Sequence, residues 1–178
     1  MGSVGQATGT EVVILGPDGE ILANNEKGEV TIRGENVMNG YLDNPEANAS
    51  AFTNGYLRTG DLGKIDANGY ITLLGRLKEL INRGGEKISP AQIDDVLLDI
   101  TGVREAAAFG VPDTILGEAV HAAVVQNGAL DETDILDHCR EKLPRFMVPV
   151  KIHIVTELPH GPSGKINRNS LPKALGLA

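Results

Sequence analysis

The chain has 178 residues, 41% of them hydrophobic and 22% charged, with a formal net charge of −8. This length can bury a core in one domain or two small ones, and the acidity excludes a general polyanion binder. Aromatic residues are scarce, which argues against a base-stacking surface for nucleic acid, and the single cysteine, Cys139, excludes an internal disulfide. No apolar run approaches a membrane span in length, so we expect a cytoplasmic protein.

Residues 1–76 are predicted to be rich in β-strands. Val12–Leu15 is an apolar run followed by the turn sequence G-P-D-G. Val30–Arg33 alternates apolar and polar residues, as a half-buried strand does. Tyr70–Leu74 follows a D-A-N-G turn and predicts a third strand.

The pattern changes after Gly75. Ser89–Gln92 predicts a capping box with Pro90 at the first helical position, and Asp131 predicts the cap of a second helix. Apolar residues at helical spacing follow both caps. The strands predicted in this part are Ala106–Val111, Val120–Val125 and Val150–Val155, followed by a loop over Leu158–Arg168. The order helix, strand, strand, helix, strand predicts a small α+β domain over residues 77–178.

Lys165 lies in P-S-G-K, where proline restricts the backbone and glycine leaves room beside the lysine. A long cation on such a loop can be brought to a phosphate, where it stabilises charge that develops during attack on phosphorus. Considered alone, a solvated surface lysine is the more common situation.

Asp61, Arg76 and Lys78 are further candidates. The carboxylate of Asp61, in Y-L-R-T-G-D-L, can accept hydrogen bonds from two adjacent ribose hydroxyls, or it can simply bond its own backbone in a turn. Arg76 can bind ribose or phosphate through its fork of donors. Lys78 lies at the predicted boundary, where a hinge residue would absorb a dihedral change. Arg76 and Lys78 can equally be plain exposed bases.

The segment Asn82–Lys87, N-R-G-G-E-K, predicts a tight turn centred on Gly84 and Gly85. Paired glycines are common at the centre of a β-hairpin, and they also let backbone approach a ligand closely. Arg83 and Lys87 add positive charge. The four histidines are scattered in sequence without ligand spacing, so we expect no protein metal site.

Five motifs, in this order, resemble the adenylate-forming acyl-CoA synthetase superfamily. They are G-E-V-T-I-R-G-E-N-V-M-N-G-Y from Gly28, Y-L-R-T-G-D-L from Tyr56, G-R-L-K-E from Gly75, V-P-D-T-I-L-G-E from Val111 and P-S-G-K-I-N-R from Pro162. The similarity spans essentially the whole chain. E-L-I-N-R-G-G-E-K-I-S-P is most similar to the oxalate–CoA ligase group, although aryl-acid adenylating enzymes carry a similar I-N-R-G-G-E-K.

The resemblance implies roles for individual residues. Lys165 would be the catalytic lysine that reaches the α-phosphate and carboxylate during adenylation. Asp61 and Arg76 would hold the ribose, and Lys78 would be the hinge between two half-reactions. The resemblance also implies that Gly84 and Gly85 line the path of the CoA pantetheine and that Lys87 lies near the nucleotide. Asn82 departs from relatives that have lysine there.

The resemblance also implies domain organisation and cofactors. Residues 1–76 would be the distal β-rich part of the AMP-binding N-terminal domain, and residues 77–178 the C-terminal α+β domain. The family's phosphate loop and acyl pocket have no counterpart in the sequence, so we expect a fragment that is inactive alone. The complete enzyme would use ATP, CoA, a small carboxylic acid and Mg²⁺, which ATP and the absent region would hold. The alternatives are an aryl-acid adenylating enzyme that loads a carrier-protein thiol, and a non-catalytic nucleotide- or partner-binding module.

Overall fold

The computed structural model describes residues 2–177, which form two compact units that meet in sequence between Lys78 and Glu79. Met1 and Ala178, the outermost residues of the two predicted domains, lie outside the described residues.

The first unit is a six-stranded antiparallel sheet with one short helix. Its elements are β1 (Gly5–Gln6), β2 (Glu11–Leu15), β3 (Gly28–Arg33), α1 (Pro45–Ala51), β4 (Phe52–Thr53), β5 (Tyr56–Ile65) and β6 (Tyr70–Arg76). The strand order is β1-β6-β5-β3-β2, and β4 pairs with β5. Few apolar side chains are buried: Ile14, Leu15, Val30, Tyr56, Ile71 and Leu74.

The second unit contains a five-stranded sheet and three helices. Its elements are β7 (Ile81–Arg83), β8 (Glu86–Ile88), α2 (Pro90–Leu98), β9 (Val103–Asp113), β10 (Gly117–Gln126), α3 (Glu132–Lys142), β11 (Lys151–Ile154) and α4 (Leu171–Ala174). Single 3₁₀ turns occupy Leu77–Glu79 and Arg168–Ser170. β10 is the central strand: β9 pairs antiparallel along one edge, while β7 at Gly117 and the parallel β11 share the other.

Successive residues of β10 point to opposite faces of the second sheet. Each face is covered by a core. On one face Val120, Ala122 and Val124 pack in a core with α2 and α3. On the other face Ala123 and Val125 pack with Leu158 and Leu171, which flank the Lys165 loop. The loop therefore begins and ends in a packed core.

The two main helices begin where the sequence predicts. The Asp131 carboxylate accepts from the Asp134 amide, and the Asp134 side chain accepts from the Asp131 amide, a complete capping box. The predicted box at Ser89 is wrong in detail. Pro90 does occupy the first turn, but the Gln92 amide donates to the Ser89 backbone carbonyl and the Ser89 side chain does not cap the helix.

The predicted α+β class is confirmed, and the order helix, strand, strand, helix, strand is observed from α2 to β11. Among the described residues, no helix is both long and apolar enough to cross a membrane.

Candidate functional site

Asp61 and Arg76 face each other on neighbouring strands of the first unit. They are direct partners in the β5–β6 ladder, and Arg76 Nε lies 2.9 Å from Asp61 Oδ1. The Asp61 side chain is 24% exposed, so a ligand can reach its second oxygen. An ionised carboxylate has acceptor sites beyond the one that Arg76 occupies. The pair can therefore bind a vicinal diol such as a ribose.

A buried carboxylate fixes the segment of β5 that carries Asp61, where the register of the β3–β5 pairing shifts. Glu29 of β3 is 8% exposed; its Oε1 accepts from the Gly60 amide at 3.0 Å and its Oε2 accepts from Arg58 Nε at 2.8 Å. Gly60 has a φ of +73°, a conformation that disfavours other residues. The Thr59 hydroxyl accepts from the Asp61 amide at 3.1 Å. Asp61 is thus held at a defined point of β5, an interior strand of the sheet.

Lys78 lies in the 3₁₀ turn after β6 and is exposed. It is the last residue of the first unit. A short irregular turn at a unit boundary is where a hinge is expected. The hinge role of Lys78 stays a prediction.

The predicted hairpin forms as β7 and β8, with Gly84 and Gly85 at its tip. Their φ values are +59° and +89°, in the left-handed region that side chains with a Cβ rarely adopt. A Cβ built on Gly85 would meet no atom within 4 Å, so backbone conformation and not space is the constraint there. Lys87 lies on β8 opposite Asn82 and is exposed.

The turn between β9 and β10 supports this hairpin. Gly84 donates to the Leu116 carbonyl at 2.7 Å, and the Asn82 amide donates to Glu118 Oε2 at 2.6 Å. Gly110 leaves room for the Glu118 carboxylate, because a Cβ there would lie 2.4 Å from Glu118 Oε1. The motif V-P-D-T-I-L-G-E contains Glu118, but the sequence alone predicts no role for it. Glu118, directly after Gly117 in this motif, is the feature of the sequence that could have indicated a supporting carboxylate.

A basic groove lies beside the hairpin tip. It has a volume of about 420 Å³ and is lined by Arg83, Gly84, Glu86, Leu116, Arg145 and Phe146. Arg83 donates to the Phe146 carbonyl at 2.6 Å. Arg145 forms no ion pair with any other described residue. The groove can therefore offer positive charge to an anion in an otherwise acidic chain.

Lys165 lies at the end of a hydrogen-bonded turn and its side chain is exposed. Gly161 donates to the Lys165 carbonyl at 2.8 Å, and Gly164, with φ +75°, donates to the Gly161 carbonyl at 2.9 Å. His160 and Ile166 form a β-bridge below this turn. The lysine is thus presented on a hydrogen-bonded turn, and its ammonium group forms no ion pair with another described residue.

Arg168, three residues after Lys165, anchors the loop to the body of the unit. Its Nη2 lies 2.8 Å from Asp94 Oδ2, and its Nη1 donates to the Ala108 carbonyl at 2.6 Å. Asp94 Oδ1 also accepts from the Ala108 amide at 2.6 Å. Burial raises the pKa of Asp94 above its ordinary value, and the Arg168 guanidinium opposes that shift. Arg168 was part of the quoted motif P-S-G-K-I-N-R, but its sequence position alone could not reveal Asp94 as its partner.

The hairpin and the lysine loop contact opposite ends of β9. The hairpin meets the turn that follows Asp113, whereas His160 of the loop lies 3.2 Å from Glu105. Glu105 and Asp113 are eight positions apart on one strand, which corresponds to roughly 26 Å at about 3.3 Å per residue. One ligand of small size cannot touch both segments at these positions.

Two of the four histidines are brought together by the parallel pairing of β10 and β11. His121 Nδ1 lies 3.0 Å from His153 Nε2, and the rings stack with centroids 5.2 Å apart. Burial lowers the pKa of both imidazoles. Within residues 2–177 there is no group of three or more His, Cys, Asp or Glu side chains placed to hold a metal ion.

An α+β unit with a lysine loop and a glycine hairpin defines a known class. Residues 92–165 match the family model of the AMP-binding enzyme C-terminal domain. The resemblance inferred from the motifs is thereby confirmed: this part of the chain belongs to the AMP-binding enzyme C-terminal domain family.

Its relatives include acid–CoA ligases. The chain is 50% identical over 169 residues to an oxalate–CoA ligase of Arabidopsis thaliana, covering 94% of this chain and 33% of the relative. ATP-bound MatB from Rhodopseudomonas palustris superposes with a TM-score of 0.91 at 36% identity, over 97% of this chain and 35% of that one. O-succinylbenzoate coenzyme A synthetase from Bacillus subtilis, in complex with ATP and magnesium, gives 0.89 at 37% identity, over 96% and 36%.

The chain spans about a third of the length of the curated relatives that it matches. The comparisons establish the family and the fold. The roles of Asp61, Arg76, Lys78, Gly84, Gly85, Lys87 and Lys165 stay predictions.

Proposed function

We propose that this chain is the C-terminal portion of an acid–CoA ligase. The complete enzyme would activate a carboxylic acid with ATP to an acyl-adenylate and then transfer the acyl group to CoA. The observation that carries the proposal is the placement of an exposed lysine loop and a glycine hairpin at opposite ends of β9. Two chemically different steps can then use two different ends of one unit.

In the first step a carboxylate oxygen attacks the α-phosphorus of ATP, and the bond to the bridging oxygen breaks to release pyrophosphate. Asp61 and Arg76 bind the ribose hydroxyls. Lys165 places its ammonium group against the α-phosphate and the carboxylate, where it stabilises the developing negative charge. Lys87 contributes positive charge near the nucleotide.

Magnesium in this step is held through ATP and through the part of the enzyme that precedes this chain. Among the described residues, no group of three or more His, Cys, Asp or Glu side chains is placed to hold a metal ion. We therefore assign no metal ligand to this chain.

In the second step the sulfur of CoA attacks the acyl carbonyl, AMP leaves and the thiol proton passes to solvent. Gly84 and Gly85 let the pantetheine arm pass close to backbone, since neither residue carries a side chain. The groove beside them presents Arg83 and Arg145, and guanidinium groups suit the phosphates of CoA. A rotation at Lys78 would exchange the two ends of the unit between the steps.

The test is a hybrid ligase in which this chain replaces the matching third of the Arabidopsis oxalate–CoA ligase. ATP–pyrophosphate exchange with oxalate reports the first step, and thioester formation from preformed acyl-adenylate reports the second. We expect the unmodified hybrid to perform both steps, with CoA preferred over pantetheine, which lacks the nucleotide phosphates. A hybrid that is folded but forms no acyl-adenylate would contradict the proposal.

Lys165→Ala in the hybrid should slow adenylation about a hundredfold or more, the usual effect of removing one donor that stabilises a transition-state charge. Thioester formation from acyl-adenylate should be largely spared. Lys173→Ala is the matched control, because Lys173 is also exposed and lies in α4. Equal loss in both steps would refute the division of labour between the two ends.

A further inference from the structure

We infer that Arg168, through its ion pair with Asp94, is a positioning residue for Lys165 in the adenylation step. The inference rests on the proposed function. It differs from it in assigning the geometry of the lysine loop to two buried, charged side chains that do not themselves reach the nucleotide.

Arg168 is well placed to fix the loop because its side chain is largely removed from solvent. Its side chain is 14% exposed and that of Asp94 is 13% exposed. The guanidinium contacts three groups on three elements: Asp94 of α2, the Ala108 carbonyl of β9, and Glu79, whose Oε2 lies 3.3 Å from Arg168 Nε. A planar fork with five donors can satisfy these partners together, whereas a lysine ammonium is a single point charge.

The path from Arg168 back to Lys165 is short and each residue along it is held. The Asn167 amide donates to the Pro159 carbonyl at 2.7 Å. Ile166 forms the bridge with His160 and packs in the core that contains Leu171. We therefore expect a displacement of Arg168 to reach Lys165, since both intervening residues are held by hydrogen bonds or packing.

The charge of Asp94 depends on this arginine. Asp94, taken as a whole residue, is 9% exposed, and a carboxylate in that position without a cation is unfavourable. Asp94 in turn holds the Ala108 amide, so one side chain joins α2, β9 and the loop. Loss of Arg168 leaves the Asp94 charge buried without compensation, whereas loss of Asp94 leaves Arg168 with Glu79 as its remaining acidic partner.

The experiment compares Arg168→Lys with the matched control Arg140→Lys in the hybrid ligase. Arg140 also pairs with an aspartate, Asp137, but that pair is exposed on α3. We expect Arg168→Lys to lower kcat of adenylation between tenfold and a hundredfold, as a displacement of about 1 Å of a reacting group does. The KM for ATP and thioester formation from acyl-adenylate should stay within about twofold, and Arg140→Lys should change neither step.

A double mutant separates positioning from a merely structural role. If Arg168 acts through Lys165, then adding Arg168→Lys to Lys165→Ala should produce no further loss of adenylation. An additional loss as large as that in the single mutant would overturn the inference, as would an equal loss in both half-reactions. Should Arg168→Lys fail to fold, Asp94→Asn is measured in the same way, since it keeps the shape of the side chain and removes the charge.

The same set of variants shows which idea has failed. If Lys165→Ala leaves adenylation intact, the proposed function is wrong whatever Arg168 does. If Lys165→Ala abolishes adenylation and Arg168→Lys has no effect, only the positioning role is wrong.

Discussion

The two units use the same device beside their candidate site residues, with different degrees of burial. In the first unit Glu29 pairs with Arg58, three residues before Asp61; in the second, Asp94 pairs with Arg168, three residues after Lys165. Both carboxylates are buried. The arginines differ, because the Arg58 side chain is 47% exposed and that of Arg168 is 14% exposed.

This difference follows from how each sheet is covered. The second sheet has a core on both faces, and Arg168 contacts Ala108 and Asp94 beside one of them. The first unit buries only a few apolar side chains, and its arginine remains in contact with water. A charge that water can reach loses little when its partner is removed, whereas a buried one loses much. The mutational cost should therefore follow the exposure of the arginine.

The largest expected effect is that of Asp94→Ala. It leaves the Arg168 guanidinium with only the longer contact to Glu79 as a counter-charge, and it leaves the Ala108 amide without its side-chain acceptor. Removal of one partner of a buried ion pair costs about 3–5 kcal/mol. Urea unfolding of the 178-residue chain measures the loss in the free energy of unfolding of the second unit. Asp137→Ala, at an exposed pair, should cost less than about 1 kcal/mol. Similar losses for the two variants would break the comparison.

Glu29→Ala should have a smaller effect in the first unit. The Gly60 amide loses an acceptor, but Arg58 can be solvated, so we expect a loss of about 1–3 kcal/mol. Hydrogen exchange of the β3 and β5 amides provides the measurement, with the exposed Glu35→Ala as control. In the hybrid ligase the variant should also raise the KM for ATP, because the segment of β5 that carries Asp61 loses a hydrogen bond that holds it in place. A loss that exceeds that of Asp94→Ala would show that arginine exposure does not set the cost.

Glu118 is a carboxylate that supports the glycine hairpin without an arginine partner, so its removal provides a third comparison. Glu118→Ala removes the acceptor of the Asn82 amide, a charge-assisted bond worth about 1.5 kcal/mol or slightly more. The Asn82 amide should then exchange at least about tenfold faster. Amides in the centre of β10 should be unchanged. Uniformly faster exchange over the whole second unit would indicate a global role and not a local one.

The sequence predicted the elements that depend on local signals. The hairpin at Gly84 and Gly85, the helix start at Pro90 and the complete cap at Asp131 each follow from residues close together in the chain. The helix α1 was not predicted, since it is short and none of its residues is buried. The predicted side-chain cap at Ser89 was wrong, because the Gln92 amide donates to the Ser89 backbone carbonyl instead.

The sequence could not predict the pairs that tertiary structure creates. Asp94 and Arg168 are 74 residues apart, and Glu29 and Arg58 are 29 apart. No periodicity connects such positions, and each pair depends on which strands become neighbours. The motifs did include Glu29, Arg58 and Arg168, but they could not distinguish a residue that touches a ligand from one that positions another residue.

The smallest expected effect concerns the His121–His153 pair, which lies between the two ends of β9 that carry the site segments. Burial lowers the pKa of both imidazoles, and their mutual repulsion and the charge of Lys151 add to the shift in His121. Phe109 packs against both rings. Protonation of both imidazoles would replace the hydrogen bond between the rings with two adjacent cations. Glu132 neutralises Lys151 across a 2.6 Å ion pair and tempers the repulsion.

A histidine whose folded-state pKa is lowered binds protons more readily when unfolded. The stability from this pair is therefore fully present above the ordinary value of 6.5 and is lost as the pH falls through the folded-state pKa values. The raised pKa of Asp94 acts with the opposite sign, and the lowered pKa of Glu132 adds a loss only at more acidic pH. Urea unfolding between about pH 7.5 and about pH 5.5, roughly one unit either side of the ordinary value, should show lower stability at the acidic end. The slope should flatten in His121→Gln/His153→Gln. Amides at both ends of β9 should lose protection from hydrogen exchange together, because the histidine pair stabilises the strands and not one site segment. A loss of protection confined to the Lys165 loop would instead mean that the histidines support only that loop.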